Sequence, residues 1–228
     1  MPKIRVFVVD DSAFMRGIIT KMLESDDEIE VIGSARNGQE AIEKIGVLKP
    51  DVVTLDIEMP IMNGIETLKY LMKNNPLPVI MFSALTSEGA EVTLEALNIG
   101  ASDFITKDFS NFSIKISGKE NELVNKVKNV AKKKSLYLMR RINFPRKQVT
   151  VNKRKRIKHS ILAIGASTGG PPAIENVLSG IPGDFPVPIV ISQHMPKLFT
   201  KSFAQRLNNT SQITVKEAEN GEALKSGI

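Results

Sequence analysis

From Lys3 to Phe104 the chain repeats one unit, in which a short run of β-branched and apolar residues ends in a polar residue and is followed by a stretch with helical spacing. IRVFVVD leads into a helical pattern near Ser12 to Glu24, and IEVIGSA into one near Gly38 to Leu48. DVVTLD, PVIMFSA and SDFIT supply three further runs, the last two separated by the helix-like SEGAEVTLEALNIG. Strands that are apolar throughout must be covered on both faces, and helices crossing between parallel strands provide that cover. The pattern predicts an α/β domain with five parallel strands, doubly wound. A fifth helix is expected at about Lys119 to Ser135, after a Ser-rich polar loop over residues 109–118 with no readable chemistry.

A second βα pattern starts at Ile157. ILAIGAS is a strand and a small-residue turn, Pro171 to Ser179 a helix, PVPIVISQH a strand, and Lys197 to Leu207 a helix. Between the two patterns, Pro145 and dense charge break both periods. The expected organisation is a first domain over 1–131, a basic linker over 132–156, and over 157–228 the first part of a second doubly wound α/β domain. Two or three strands cannot cover a sheet on both faces, so this second domain is expected to be incomplete.

Charge supports the linker. Residues 126–158 hold 14 of the 31 Lys and Arg and no acid, leaving 17 basic against 25 acidic residues elsewhere. The net charge of +6 therefore belongs to one segment. Such a stretch could neutralise DNA phosphates, but no reading element accompanies it, and no nucleic acid partner is expected. The chain has no cysteine, its N-terminus MPKIRVFVVDD lacks a signal peptide's apolar stretch, and no apolar run approaches the roughly 18 residues of a membrane span. A cytoplasmic location is expected.

Ligands of open parallel sheets bind at the carboxyl ends of the strands. Asp10 and Asp11 end the first strand, Asp56 the third and Ser83 the fourth, while Lys107 follows the fifth. A single Asp after a strand is as often a helix cap as a reactive group; three around one point repel each other unless a cation intervenes. An all-oxygen set without His or Cys favours Mg²⁺, and a carboxylate in such a site can be a phosphoryl acceptor. Asp56, flanked by apolar residues, is the best placed.

VVDDS, TLDIEMPIMNG, MFSA and TK at these intervals resemble the response regulator receiver family, of flavodoxin-like fold, over residues 1 to about 130. The resemblance implies that Asp56 is the phosphorylated residue and that Asp10 and Asp11 form an acidic pair. It further implies that Mg²⁺ is held by Asp11, Asp56 and the backbone carbonyl of Glu58, that Ser83 and Lys107 complete the pocket, and that Phe104 fills the aromatic switch position. A lone Phe in a strand is otherwise core packing. Asp108 stands where most members have Pro after the lysine.

In the second pattern Gly165, Ala166, Ser167, Thr168, Gly169 fit G-x-S-x-G between a strand and a helix. Ser167 is a candidate nucleophile, the amides opening the helix candidate oxyanion donors, and His194 at the end of the next strand a candidate base. Each signal alone is weak, since such turns also bind phosphate and lone histidines are more often structural. His159, at the linker junction, is expected to be solvated.

IGASTGGPPAI paired with VISQHMP, after a receiver and a basic linker, resembles the chemotaxis protein-glutamate methylesterases. The resemblance implies a carboxylic ester hydrolase that removes glutamate methyl esters from chemoreceptors and deamidates glutamines there, with Ser167 and His194 catalytic, Thr168 and Gly169 lining the site, and no cofactor for the esterase step. Its implied partners are a chemotaxis histidine kinase and methylated receptors in membrane arrays. The family's triad aspartate falls beyond residue 228, and Glu217, Glu219 and Glu222 match no motif. Loss of the residue orienting the histidine costs about four orders of magnitude in kcat. The alternative is a receiver whose phosphorylation state is its only output.

Overall fold

The computed structural model describes residues 2–107, 116–132 and 160–227, with the side chains of Ile116 and Ser117 outside that description. It divides into two compact units, Met1–Arg141 and Ile142–Ile228. The expected linker beyond Lys132, the loop residues 109–115, Asp108 and His159 lie outside the described residues.

In the first unit β1 (Ile4–Val9), β2 (Ile29–Ala35), β3 (Val52–Asp56), β4 (Val79–Ser83) and β5 (Asp103–Thr106) form a parallel sheet of order β2-β1-β3-β4-β5. Helices α1 (Ala13–Leu23), α2 (Gly38–Leu48), α3 (Gly64–Asn74), α4 (Ser87–Ile99) and α5 (Ile116–Lys132) alternate with the strands. The doubly wound expectation holds. Every residue of β3, β4 and β5 is buried, as two-sided cover requires. On one face Val6, Val8, Val52, Ile80, Phe82 and Ile105 meet Ile19 and Leu23 of α1 and Leu123, Val127 and Val130 of α5. Burying side chains of this size contributes about 1.5–3 kcal/mol each.

The first four helices start where a short polar side chain accepts from the first turn: Ser12, Asn37, Asn63 and Thr86. Asn63 also forms a capping box with Glu66, at 2.9 Å and 3.0 Å. Helix α5 begins at Ile116, about three residues before the expected start. Ser117 and Gly118 lower helix propensity, but in a first turn no donor depends on the preceding residues, so their cost is small.

The second unit has two parallel strands, β6 (Leu162–Ala166) and β7 (Ile189–Gln193), with α6 (Gly170–Leu178) and α7 (Lys197–Thr210). Phe199, Phe203 and Leu207 of α7 and Ile174 and Leu178 of α6 are buried. Both strands alternate half-buried and exposed residues along their length, so one face of this sheet is covered and the other open. No helix among the described residues is long and apolar enough to cross a membrane.

Candidate functional site

The β3–α3 turn aims the third strand's last residue. Gly64 sits so close that a Cβ there would lie 2.0 Å from the backbone oxygen of Asp56, and its N–H donates to Ile57 O at 2.8 Å. Only glycine permits this approach. In the same loop Ile61 takes φ 71°, a left-handed conformation that β-branched residues rarely adopt, and is 79% exposed. At β1, Asp10 Oδ1 accepts from Ser12 N–H at 2.9 Å, and Arg16 Nη1 donates to the backbone oxygens of Asp10 and Asp11 at 2.8 and 3.0 Å.

These turns bring the predicted pocket together. Lys107 Nζ lies 2.7 Å from Asp56 Oδ2 and 2.9 Å from Asp10 Oδ2. Asp56 is 3% exposed and Asp10 fully buried, whereas Asp11 is exposed. Burial pushes the Asp56 carboxyl up to about 6, against the opposing pull of Lys107 and a backbone N–H of Glu58. For Lys107 burial works downward, but the bonds to Asp56 and then Asp10 outweigh it, and the ammonium titrates above its ordinary range. The pocket thus holds its lysine charged and raises the Asp56 carboxyl to about 6.

One oxygen each from Asp10, Asp11 and Asp56 lies within 4.8 Å of the others. An oxygen-only set in which carboxylates outnumber the single ammonium fits a hard divalent cation such as Mg²⁺. Glu58 is exposed and enters through its backbone, beside the Asp56 carboxylate.

Ser83 and Phe104 are buried. Ser83 Oγ donates to Gly89 O at 3.1 Å and Ala84 O at 3.3 Å, toward the start of α4. Phe104 lies under Lys126 of α5, whose Nζ is 5.2 Å from the ring centroid, 2.7 Å from Phe104 O and 2.9 Å from Asp103 Oδ1. Sequence reasoning passed over Lys126. Its signal was the heptad Lys119, Leu123, Lys126, Val130, in which two lysines share a stripe with buried apolar residues.

In the second unit the β6–α6 turn and the end of β7 are neighbours by register, since Ala166 pairs with Gln193. Ser167 and His194 follow those two residues, both exposed, and His194 N–H donates to Ala166 O at 3.0 Å. Gly169 takes φ 74° and no side chain caps α6; Gly170 N–H donates to Ser167 O at 2.7 Å, and Pro171 and Pro172 carry no N–H, so the first three residues of the helix offer no amide to an anion. Among the described residues His194 has no carboxylate partner. Glu217 accepts from Thr200 Oγ1, and Glu219 and Glu222 pair with Lys216. Gln193, also passed over in the sequence, donates from Nε2 to Ser167 O and His194 O at 3.1 Å each. Its signal was an amide at the end of a strand that opens with Ile189, Val190 and Ile191.

Residues 6–116 match the model of the response regulator receiver domain, and residues 162–228 match that of the CheB methylesterase. A protein-glutamate methylesterase/protein-glutamine glutaminase of Lawsonia intracellularis is 52% identical over 98% of this chain and 66% of its own length. One of the same description from Bacillus licheniformis is 50% identical over 98% of this chain and 65% of its own length. The crystal structure of the response regulator domain of Thermotoga maritima CheB is 50% identical, covering 57% of this chain and 97% of that one, with a TM-score of 0.52. The chain belongs to this CheB family. It spans about two thirds of the length of those curated relatives, 66% and 65%. Family membership accounts for the pairing of two unlike sites, a buried acidic pocket and an exposed serine turn, in one chain.

Proposed function

We propose that the protein is a phosphorylation-regulated chemotaxis methylesterase that hydrolyses glutamate methyl esters, and deamidates glutamines, on chemoreceptors. The observation that carries it is the placement of Ser167 and His194 on adjoining strand ends, in a chain whose preceding domain pairs Asp56 with Lys107. A histidine kinase is the phosphoryl source. An Asp56 oxygen forms the new bond to phosphorus as the donor's P–N bond breaks, and Lys107 offsets the charge on the transferred group. Asp11 and Asp56, with Glu58 through its carbonyl, would hold Mg²⁺, which supplies further charge neutralisation. Ser83 and Phe104 report the pocket's state to the rest of the domain.

In the second unit Ser167 Oγ attacks the ester carbonyl while its proton passes to His194, the amides near Thr168 and Gly169 face the oxyanion, and methanol leaves. Water then releases the glutamate. With glutamine as substrate the leaving group is ammonia. The reaction needs no cofactor and takes place in the cytoplasm, on receptors in the membrane.

The test is hydrolysis of methyl glutamate on a receptor fragment, with and without a small phosphodonor and Mg²⁺. Activity lost in Ser167→Ala and no longer stimulated in Asp56→Ala supports the proposal. Phosphorylation without hydrolysis would leave the receiver reading alone for this chain.

A further inference from the structure

Gln193 ends β7, and its carboxamide leaves the strand to enter the crook of the β6–α6 turn. Nε2 stands 3.1 Å from the carbonyl oxygen of Ser167 and 3.1 Å from that of His194. Ser167 O also accepts from Gly170 N–H at 2.7 Å, so both of its lone pairs are used. Two carbonyl neighbours fix the orientation of the amide, because the reversed group would set oxygen against oxygen. Oε1 is buried without a hydrogen-bond partner. It occupies the space beside residue 170, where a Cβ would come within 1.9 Å, so glycine at 170 serves to admit this side chain.

An apolar residue of similar length would fill the same space without leaving a buried acceptor unmatched, but it would give up both Nε2 hydrogen bonds. What the amide does and an apolar group cannot is tie the main chain of Ser167 to that of His194. We propose that Gln193 is a positioning residue for this site, its carboxamide setting the approach of the serine turn to the histidine loop. The proposal rests on the reading of Ser167 as nucleophile and His194 as base.

The probe is a small fluorophosphonate applied to the 228-residue chain. It forms a bond from Ser167 Oγ to phosphorus, expels fluoride and passes the serine proton to the base. Gln193→Met keeps the length and removes both donors; Gln193→Glu keeps the shape and sets an oxygen where Nε2 met both carbonyls. Both variants are expected to slow labelling of Ser167 at least tenfold across the pH profile, more than any fall in the unfolding temperature of the second unit accounts for. They should also speed hydrogen exchange at the Gly170 amide. Labelling at the unsubstituted rate in either variant would overturn the positioning role, and so would a fall in labelling that merely tracks a fall in unfolding temperature. If the unsubstituted chain is not labelled while its Gly170 amide is protected, the nucleophile reading has failed, and the role proposed for Gln193 fails with it.

Discussion

The two units present the same edge of the same kind of sheet, yet they enclose their reactive residues to opposite degrees. In the first, three strands buried along their whole length deliver Asp56 into a pocket where Lys107 and Asp10 already meet it. In the second, two strands with one open face deliver Ser167 and His194 side by side and exposed. Burial changes the chemistry of a carboxylate, since withdrawal from water is what lifts Asp56 toward neutral pH. In the proposed reaction Ser167 depends instead on the distance and orientation of His194, which this two-stranded frame sets through its register and the Gln193 hydrogen bonds.

The sharpest way to break this contrast is to remove the proposed acceptor, Asp56. Asp56→Asn is expected to abolish phosphorylation by a small phosphodonor, read as loss of the phosphoryl mass increment, while Ser167→Ala leaves it intact. A second phosphoryl site in the Asp56→Asn chain would show that the pocket does not single out one carboxylate.

Packing should separate the units next. Leu55→Ala, at a fully buried position of β3, is expected to cost about 2–5 kcal/mol in urea unfolding. Val190→Ala on β7, where the side chain is 39% exposed, should stay within about 1 kcal/mol. Equal losses would mean that the second sheet is as tightly packed as the first.

The acid pocket also predicts a pH dependence. The folded Asp56 titrates near 6 and its unfolded counterpart near 3.8, so burial favours the protonated form. That contribution is complete below the unfolded value and is lost as pH rises through about 6. In metal-free buffer the first unit should lose about 3 kcal/mol at most over this window, and Asp56→Asn should flatten the slope. A rise in stability over the same range in metal-free buffer, absent from Asp56→Asn, would show that Lys107 outweighs desolvation.

The smallest effect belongs to Ile61. Glycine there would relieve a left-handed strain of roughly 1–2 kcal/mol, offset in part by greater freedom in the unfolded chain. Ile61→Gly is expected to leave the midpoint of urea unfolding unchanged or slightly raised. A clear loss would mean that the exposed side chain is held by contacts worth more than the strain.

The first unit was legible in the sequence because its signals are local. Strand runs, caps and strand-end acids each fall within a few residues, and the parallel frame brings Asp10, Asp56 and Lys107 together. What escaped depends on partners distant in sequence. The role of Lys126 follows from Asp103 and Phe104, twenty-odd residues earlier. Gln193 reaches back to a turn 26 residues before it. Ser167 and His194 were legible as neighbours, since consecutive parallel strands align their ends, but no local signal supplies an acid for the histidine.

The order of the first unit's core has a consequence for biosynthesis. β1 lies inside its sheet, between β2 and β3, and its Val6 and Val8 pack in one core cluster with residues of α5, the last described element of the unit to be made. At about 5–20 residues per second, the first strand off the ribosome waits on the order of ten seconds for the helix that buries it. During that interval nascent-chain chaperones have their longest access to β1, and once α5 has docked the signalling half can be finished before the second sheet exists.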